Sequence, residues 1–461
     1  MKVIPYGAAQ TVTGSCYSLQ IKTDSVLIDC GMFQGSKKII KKNYDLFKFD
    51  VKKHKNLLLT HAHLDHCGRI PKLIKEGFKG KIYTTSATAD LAEVVMLDSA
   101  KIAKHDTVFE NRKRAEQGLP PREPVYTEDD VRNAVKMFVK VDYKVPTVIT
   151  NNITATFHDA GHILGSSFLE LDVKDRDGMK KVVFSGDLGN PGVPILRETE
   201  ILNKADYVFI ESTYGDRLHG KVEDRKNKFI NIIRETYNKG GKLLIPSFAI
   251  ERAQELIYDL DEFSEKNFLT KIKVFIDSPM AIKATEVFKK HSECFNEEIK
   301  TQIKRGDNPF SFPGLKYSRT VEESKAINDV KGPCIIIAGS GMCTGGRIKH
   351  HIKHFIEDDK TTLLFVGYQV EGTLGYWIKR GEKRIRLLGR ERDVNARIED
   401  IDSFSGHADY LGLLSWLRHF KPKKVFVTHG DPAATISLSN MIQKELGLET
   451  YIPRMEEEVI F

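Results

Sequence analysis

Six residues, His61-Ala62-His63-Leu64-Asp65-His66, constrain this chain more than any other stretch, because they follow directly on the apolar segment Asn56–Thr60. Residues two apart in an extended backbone point to the same side, so His61 and His63 at a strand's end can grip one cation. Asp65 and His66, where the chain turns toward a helix, can reach a second. Imidazole and carboxylate without thiolate suit zinc, with Zn–N about 2.0–2.1 Å, and leave positions open for water. A lone histidine at a strand end is ordinarily structural. Three histidines and an aspartate within six positions form a ligand pattern, so the fold has to bring further ligands to the end of this strand.

The surrounding rhythm fits that demand. The first thirty residues read as a β-meander with strands Ser15–Ile21 and Ser25–Asp29 after a Gly-rich turn at Gly7 and Gly14. Helices are expected at Thr88–His105 and Thr127–Phe138, the second with Thr127 and Asp130 at N-cap and N3 positions. Strands follow at Thr154–His158, Ser167–Leu171, Val182–Phe184 and Tyr207–Ile210. After residue 212 strands alternate with helices: Val222–Tyr237, Lys242–Pro246, Ile250–Phe263, Val274–Ile276, Met280–His291, Val321–Asn328, Cys334–Ala338, Arg347–Ile356 and Leu363–Val366. That alternation predicts a mostly parallel, doubly wound sheet. Strand Val425–Thr428 and helix Ala433–Leu446 close the chain. The expectation is a β-rich α/β unit interrupted by a second α/β unit.

Composition narrows the function classes. The 461 residues suffice for two or three domains. No apolar run approaches the roughly 18 residues needed to span a bilayer, and the amino terminus shows no signal-peptide pattern. A cytoplasmic protein with no membrane partner is expected. The six cysteines are scattered without a Cys-x-x-Cys pair, which argues against a disulfide framework and a thiolate zinc knot. A net charge of +8 permits a polyanionic partner without requiring one.

Further segments complete a known pattern. Asp29 ends a strand in Leu27-Ile28-Asp29-Cys30-Gly31, and Gly161-His162-Ile163-Leu164-Gly165-Ser166 and Ser185-Gly186-Asp187 follow in order. With the His61–His66 cluster they resemble the metallo-β-lactamase superfamily. Glu211-Ser212-Thr213-Tyr214-Gly215, Phe404-Ser405-Gly406-His407-Ala408-Asp409 and Thr428-His429-Gly430-Asp431 are similar to motifs A, B and C of its β-CASP nucleases. That group includes the nuclease subunit of the cleavage and polyadenylation specificity factor. Asp277-Ser278-Pro279-Met280-Ala281 and the Ser340–Arg347 loop resemble its inserted domain. Each motif alone is weak; together they cover the whole chain.

The resemblance implies an α/β fold: an αββα sandwich over residues 1–210 and 397–461, with a doubly wound β-CASP domain inserted over 211–396. It implies two zinc ions, the first on His61, His63 and His162, the second on Asp65, His66 and His429, with Asp187 bridging. Asp29 would fix a ligand or the attacking water, so Asp29 and Asp65 count with the catalytic set. His407, oriented by Glu211, would be the general acid for the 3′ leaving oxygen. Histidine at position 429, where DNA-directed members commonly carry valine, favours RNA. The implied activity is hydrolysis of RNA phosphodiesters by a two-metal-activated hydroxide, leaving 5′-phosphate and 3′-hydroxyl ends.

Candidate RNA contacts are Ser247, Arg252, Asp277, Ser278 and Tyr368 at strand ends, Ser405 in motif B, and Ser340, Gly341, Gly345, Gly346 and Arg347 in a Gly-rich loop opening a helix. Gly341 and Gly346 have P-loop spacing, but Arg347 and Ile348 stand where a nucleotide triphosphatase needs Lys and Ser or Thr. The expected partner is single-stranded RNA, and a homodimer stays open. Endonuclease action is favoured, with 5′→3′ exonuclease trimming open beside it. The chain reads as a short form without KH modules or a carboxyl-terminal extension. The rivals are a DNA nuclease of the same group, a small-molecule hydrolase on the same fold, and a non-catalytic RNA-processing scaffold. The inserted domain opposes the hydrolase, and the complete ligand set opposes the scaffold.

Overall fold

The computed structural model describes residues 1–22, 24–220, 222–265 and 272–461. The chain forms two compact units. Met1–Pro191, Glu198–Leu218 and His407–Phe461 make the first; Gly192–Arg197 and His219–Gly406 make the second.

The first unit holds two seven-stranded sheets. One runs in the order Val459–Ile460, Lys2–Pro5, Tyr17–Gln20, Ser25–Ile28, Asn56–Leu58, Lys81–Thr85, Phe138–Val141. The expected meander is its antiparallel part, and from Ser25–Ile28 onward the pairings are parallel. The other runs Thr450–Tyr451, Lys424–Val427, Tyr207–Ile210, Gly178–Phe184, Ser167–Asp175, Ile153–Asp159, Thr147–Thr150. Its strands Gly178–Phe184, Tyr207–Ile210 and Lys424–Val427 are mutually parallel. The inner faces meet through Leu19, Val26, Ile28 and Leu58 on one side and Phe157, Leu169, Leu171, Phe184, Phe209 and Phe426 on the other. Phe209 stacks on both Phe184 and Phe426 at 4.5 Å between centroids. Each such ring contributes about 1.5–3 kcal/mol of burial.

Helices Tyr410–Leu417 and Pro432–Leu446 cover the outer face of the second sheet through Leu413, Leu417, Leu438 and Ile442. Helix Ser86–Glu116 packs on strands Lys81–Thr85 and Phe138–Val141 of the first sheet. The layering is αββα, as expected. Helix Glu128–Val135 starts with the Thr127–Asp130 capping box. It ends earlier than expected, because Phe138 opens the edge strand.

The second unit is built on a six-stranded parallel sheet, Leu315–Tyr317, Lys273–Asp277, Cys334–Ala338, Lys242–Pro246, Thr362–Phe365, Arg397–Asp400. Its central strands are buried along their whole length, as strands covered on both faces must be. Ile348, Ile352 and Ile356 pack one face against Leu244, Ile336 and Phe365, while helices Val222–Asn238 and Pro279–Lys290 lie against Lys242–Pro246 and Lys273–Asp277. The crossings between units fall after Leu218 and Gly406, some eight to ten residues from the expected 210 and 396. Motif A stays in the first unit because Ser212 N–H donates to the His429 carbonyl (3.1 Å) and Ser212 Oγ to that of Thr428 (2.8 Å). Arg397–Asp400 joins the second unit as an edge strand beside Thr362–Phe365.

Candidate metal centre

Parallel strands set the site. Asp29 follows Ser25–Ile28 and His61 follows Asn56–Leu58, both at carboxyl ends in the first sheet; Asp187, Glu211 and His429 follow Gly178–Phe184, Tyr207–Ile210 and Lys424–Val427 in the second. Asp65 and His66 sit on the short helix Leu64–Cys67, whose N-cap is His63. Two of these residues hold left-handed backbones without being glycine, Asp29 at φ 58° and His429 at φ 48°. Such a conformation costs on the order of 1–3 kcal/mol and survives where the surroundings fix it. Gly186, at φ 52°, lies where a Cβ would come within 2.9 Å of Thr60 Cβ. Only glycine lets Ser185-Gly186-Asp187 turn there.

Besides the set Asp187, Glu211 and His407, two donor groups result. His61, His63, His162 and Asp187 form one, and Asp65, His66 and His429 the other, the ligand atoms of each lying within 4.8 Å of one another. His63 Nδ1 stands 3.2 Å from His61 Nε2 and 3.1 Å from His162 Nε2. His66 Nε2 stands 3.1 Å from His429 Nε2. Asp187 lies between the groups: Oδ2 is 3.4 Å from His61 Nε2 and 3.4 Å from His66 Nε2, and Oδ1 is 3.4 Å from His429 Nδ1. Ligands on one tetrahedral zinc at about 2.0–2.1 Å stand about 3.3–3.4 Å apart, so these spacings are those of a shared cation. Asp187 Oδ1 is also buried without a hydrogen-bond partner, a costly state that a cation would relieve. The donors fit zinc.

The protons fit at His61, His63 and His162. Burial, with the charge of His61, pushes His63 down to about 3. Burial and neighbouring imidazoles likewise lower His162, and burial with His66 lowers His61. Neutral imidazoles offer the lone pairs a cation needs. Burial opposes charge on His66 too, but Asp187 and Asp29 hold it well above the ordinary value. Asp187 resists burial and stays well below the usual carboxylate range under the surrounding histidines.

Asp29 does not face the donor groups directly; it aims them. Its Oδ2 accepts from His66 Nδ1 at 2.7 Å and from Ser15 Oγ at 3.1 Å, and its Oδ1 from Thr60 N–H at 2.9 Å. Thr60 Oγ1 donates to the same carboxylate and lies 3.0 Å from His61 Nδ1. Each imidazole is thus tied at Nδ1 and turns Nε2 inward, the usual support for a metal-binding histidine.

His407 lies beside this set. Its Nδ1 is 3.2 Å from Glu211 Oε1 and 3.9 Å from Asp187 Oδ2. Glu211 is buried and fixed by the N–H groups of Leu188 (2.7 Å) and Thr213 (3.3 Å). Burial works against a charged His407, but Glu211 and Asp187 overcome it and raise the imidazole to about 9.

The expected RNA contacts, all in the second unit, divide. Asp277 is fully buried and accepts from Arg347 (2.7 Å), His351 (2.7 Å) and Ser324 (2.6 Å). Arg347 also donates to the carbonyls of Ser318 and Arg319. Arg252 is buried against Glu255 and lies over the Phe404 ring at 5.1 Å. Asp277, Arg347 and Arg252 are thus each paired with an opposite charge inside the unit. His351 is buried in the same network. Ser278 caps helix Pro279–Lys290, Ser247 is buried, with Oγ donating to the Phe248 carbonyl, and Ser405 is buried too. Ser340 Oγ accepts from Gly345 N–H (3.1 Å), closing the loop that contains Gly341 and Gly346. Gly346 has φ 71°, and a Cβ there would lie 2.2 Å from the Gly339 carbonyl. Tyr368 is exposed. The sequence reading missed Thr60, Ser15, Ser185 and Thr213, hydroxyl residues that hold Asp29, Glu211 and His429 in place.

The chain is similar to known proteins along its length. Residues 10–206 match the metallo-beta-lactamase superfamily, 253–378 the Beta-Casp domain, and 391–453 the Zn-dependent metallo-hydrolase RNA specificity domain. Ribonuclease TTHA0252 from Thermus thermophilus is 38% identical over 459 residues, covering 100% of both chains. The transcription termination factor FttA of Methanocaldococcus jannaschii is 32% identical over 97% of this chain and 69% of its own length. An RNase J-like protein of the same archaeon is 33% identical over 97% of each. A crystal structure of an Enterococcus faecalis V583 protein of unknown function has the same fold, with a TM-score of 0.55 at 12% identity over 100% of this chain and 99% of that one.

Proposed function

We propose, from the premise that this chain belongs to the β-CASP branch of the metallo-β-lactamase superfamily, that it cleaves single-stranded RNA with two zinc ions and serves RNA processing in the cytoplasm. The observation that carries the reading is the meeting of seven imidazole and carboxylate side chains with the Glu211–His407 pair, Asp187 Oδ2 standing 3.9 Å from His407 Nδ1. His61, His63 and His162 would hold one zinc, Asp65, His66 and His429 the other, with Asp187 between them. When bound, the ions supply an activated water and offset the charge that builds on phosphorus.

The chain's own residues do the rest. Asp29 and Thr60 keep His66 and His61 in the tautomers that present Nε2. Glu211 fixes the ring plane of His407 and favours its protonated form. A proton held there at neutral pH can pass to the 3′ oxygen as it leaves, so products carry 5′-phosphate and 3′-hydroxyl ends. A flexible single strand reaches such a site more easily than a duplex. No helix among the described residues is long and apolar enough to cross a membrane.

The test is a side-by-side digestion of 5′-labelled RNA, internally labelled RNA and single-stranded DNA of matched sequence. Internal RNA cuts are expected, with 5′→3′ trimming after them and little loss of DNA. Equal turnover of the DNA contradicts the RNA assignment.

A further inference from the structure

At the carboxyl edge of the six-stranded sheet two aromatic rings stand in solvent. Phe248, two residues beyond strand Lys242–Pro246, is 45% exposed, and Tyr368, three beyond strand Thr362–Phe365, is 53% exposed. The two strands are neighbours in parallel register, Leu243 opposite Thr362 and Leu244 opposite Leu363, so both rings leave the same edge of the sheet. Exposed apolar groups gathered at one place, unlike ones scattered singly, mark interaction sites.

The ground beneath them is built to stay in place. The Phe248 ring lies on backbone: a Cβ at Gly341 would come within 2.9 Å of its Cδ2 and Cε2, and one at Gly367 within 3.8 Å. Any side chain at 341 would displace the ring. The side-chain amide of Gln369 is buried and reaches the carbonyls of Gly341 (3.0 Å), Gly367 (3.1 Å) and Tyr368 (3.2 Å). It ties the segment bearing Tyr368 to the loop under Phe248. Gly375 leaves it space, since a Cβ there would fall 1.9 Å from Gln369 Oε1. Surfaces ordered beforehand lose less entropy on binding. Lys349 Nζ is 3.5 Å from the carbonyl of Thr344 in the same Gly-rich loop.

We propose that Phe248 and Tyr368 form a stacking platform for RNA bases, a binding site that grips the substrate by its π-faces; this rests on the ribonuclease reading. Exposed rings on a rigid backbone are a means by which single strands are held without sequence preference, because every base has a π-face. The platform binds unpaired bases of any identity, and paired bases are unavailable to it.

The test measures affinity by fluorescence anisotropy with the full-length, zinc-loaded protein in a His407→Ala background, so that the RNA survives. Two probes are compared, a short single-stranded RNA and an abasic ribose-phosphate oligomer of equal length and charge. The starting protein is expected to prefer the RNA by more than tenfold. Phe248→Ala or Tyr368→Ala should each weaken RNA binding by about 5- to 100-fold and collapse the ratio between the probes toward one. Phe248→Trp and Tyr368→Phe should restore it. If Phe248→Ala does not fold, Tyr368→Ala decides. A ratio unchanged in folded alanine variants overturns the platform while leaving the ribonuclease reading standing. A zinc-loaded wild-type protein that neither binds nor cuts any RNA overturns that reading and the platform with it.

Discussion

Replacing Asp29 by Asn removes one charge and little volume, yet the hydrogen bonds around it fix what must follow. Oδ1 accepts from both Thr60 N–H and Thr60 Oγ1, so the Asn oxygen stays on that side and the new NH₂ faces His66 Nδ1, 2.7 Å from the present Oδ2. His66 Nδ1 would have to become the acceptor, moving the ring proton to Nε2, the atom that faces His429 and Asp187. A protonated Nε2 cannot ligate. Loss of such a supporting partner costs about 10- to 100-fold in metal affinity, or about 1.4–2.7 kcal/mol. The loss should fall on the group containing His66, while the group of His61, His63 and His162 keeps its nearest support, Thr60. Titration of the metal-free variant with zinc against a chromophoric chelator reads both equivalents. One equivalent should bind as in the wild type and the other 10- to 100-fold more weakly. Two unaltered equivalents, or selective loss of the tighter one, would refute the tautomer argument.

His407→Ala should lower RNA turnover by about 10² to 10⁴-fold while both zinc ions remain, and an aryl phosphodiester with a good leaving group should recover much of the loss in the variant. Zinc loss, or an equal defect on the aryl ester, would make His407 a ligand or a structural residue. The stability of the first unit should depend on His158, whose Nε2 faces Glu170 (2.8 Å) and whose Nδ1 faces Glu200 (3.2 Å), with Lys181 and Lys144 paired to those carboxylates and Phe168 stacked on the ring. Burial opposes its charge, but the two glutamates raise its pKa, so its contribution is full below about 6.5 and fades as pH rises through the raised value. Unfolding free energies from urea titrations at acidic and alkaline pH should differ less in His158→Gln, by about 1–2 kcal/mol; an unchanged difference contradicts the linkage.

The residues of the donor groups were legible in the sequence because several of them follow strand ends, where spacing and order carry information. His61 and His63 show the two-residue alternation of a strand, and the capping box at Thr127 marks its helix start from local chemistry alone. What escaped depends on distant partners. Asp277 and Arg347, seventy residues apart, look like surface charges until the sheet brings them together. Arg397–Asp400 lacks an apolar signature and reads with the sandwich over 397–461, yet it is an edge strand of the second unit, paired on one side. Helix Ser86–Glu116 runs past the expected end at His105 because its second half exposes Ile102, Val108 and Phe109 and so shows no apolar stripe. The hydroxyls of Thr60 and Ser185 carry no motif of their own. Their tasks appear only once the two sheets have brought Asp29 and Glu211 beside them.

The central claim is that two zinc ions held by these seven ligands cut RNA. It is tested most directly by removing all metal, returning zinc in measured equivalents, and following bound zinc and RNA cleavage in the same samples. The account predicts saturation near two zinc ions per chain, little cleavage before the second binds, and 5′-phosphate, 3′-hydroxyl ends on the products. Full cleavage with one zinc or none per chain would contradict it.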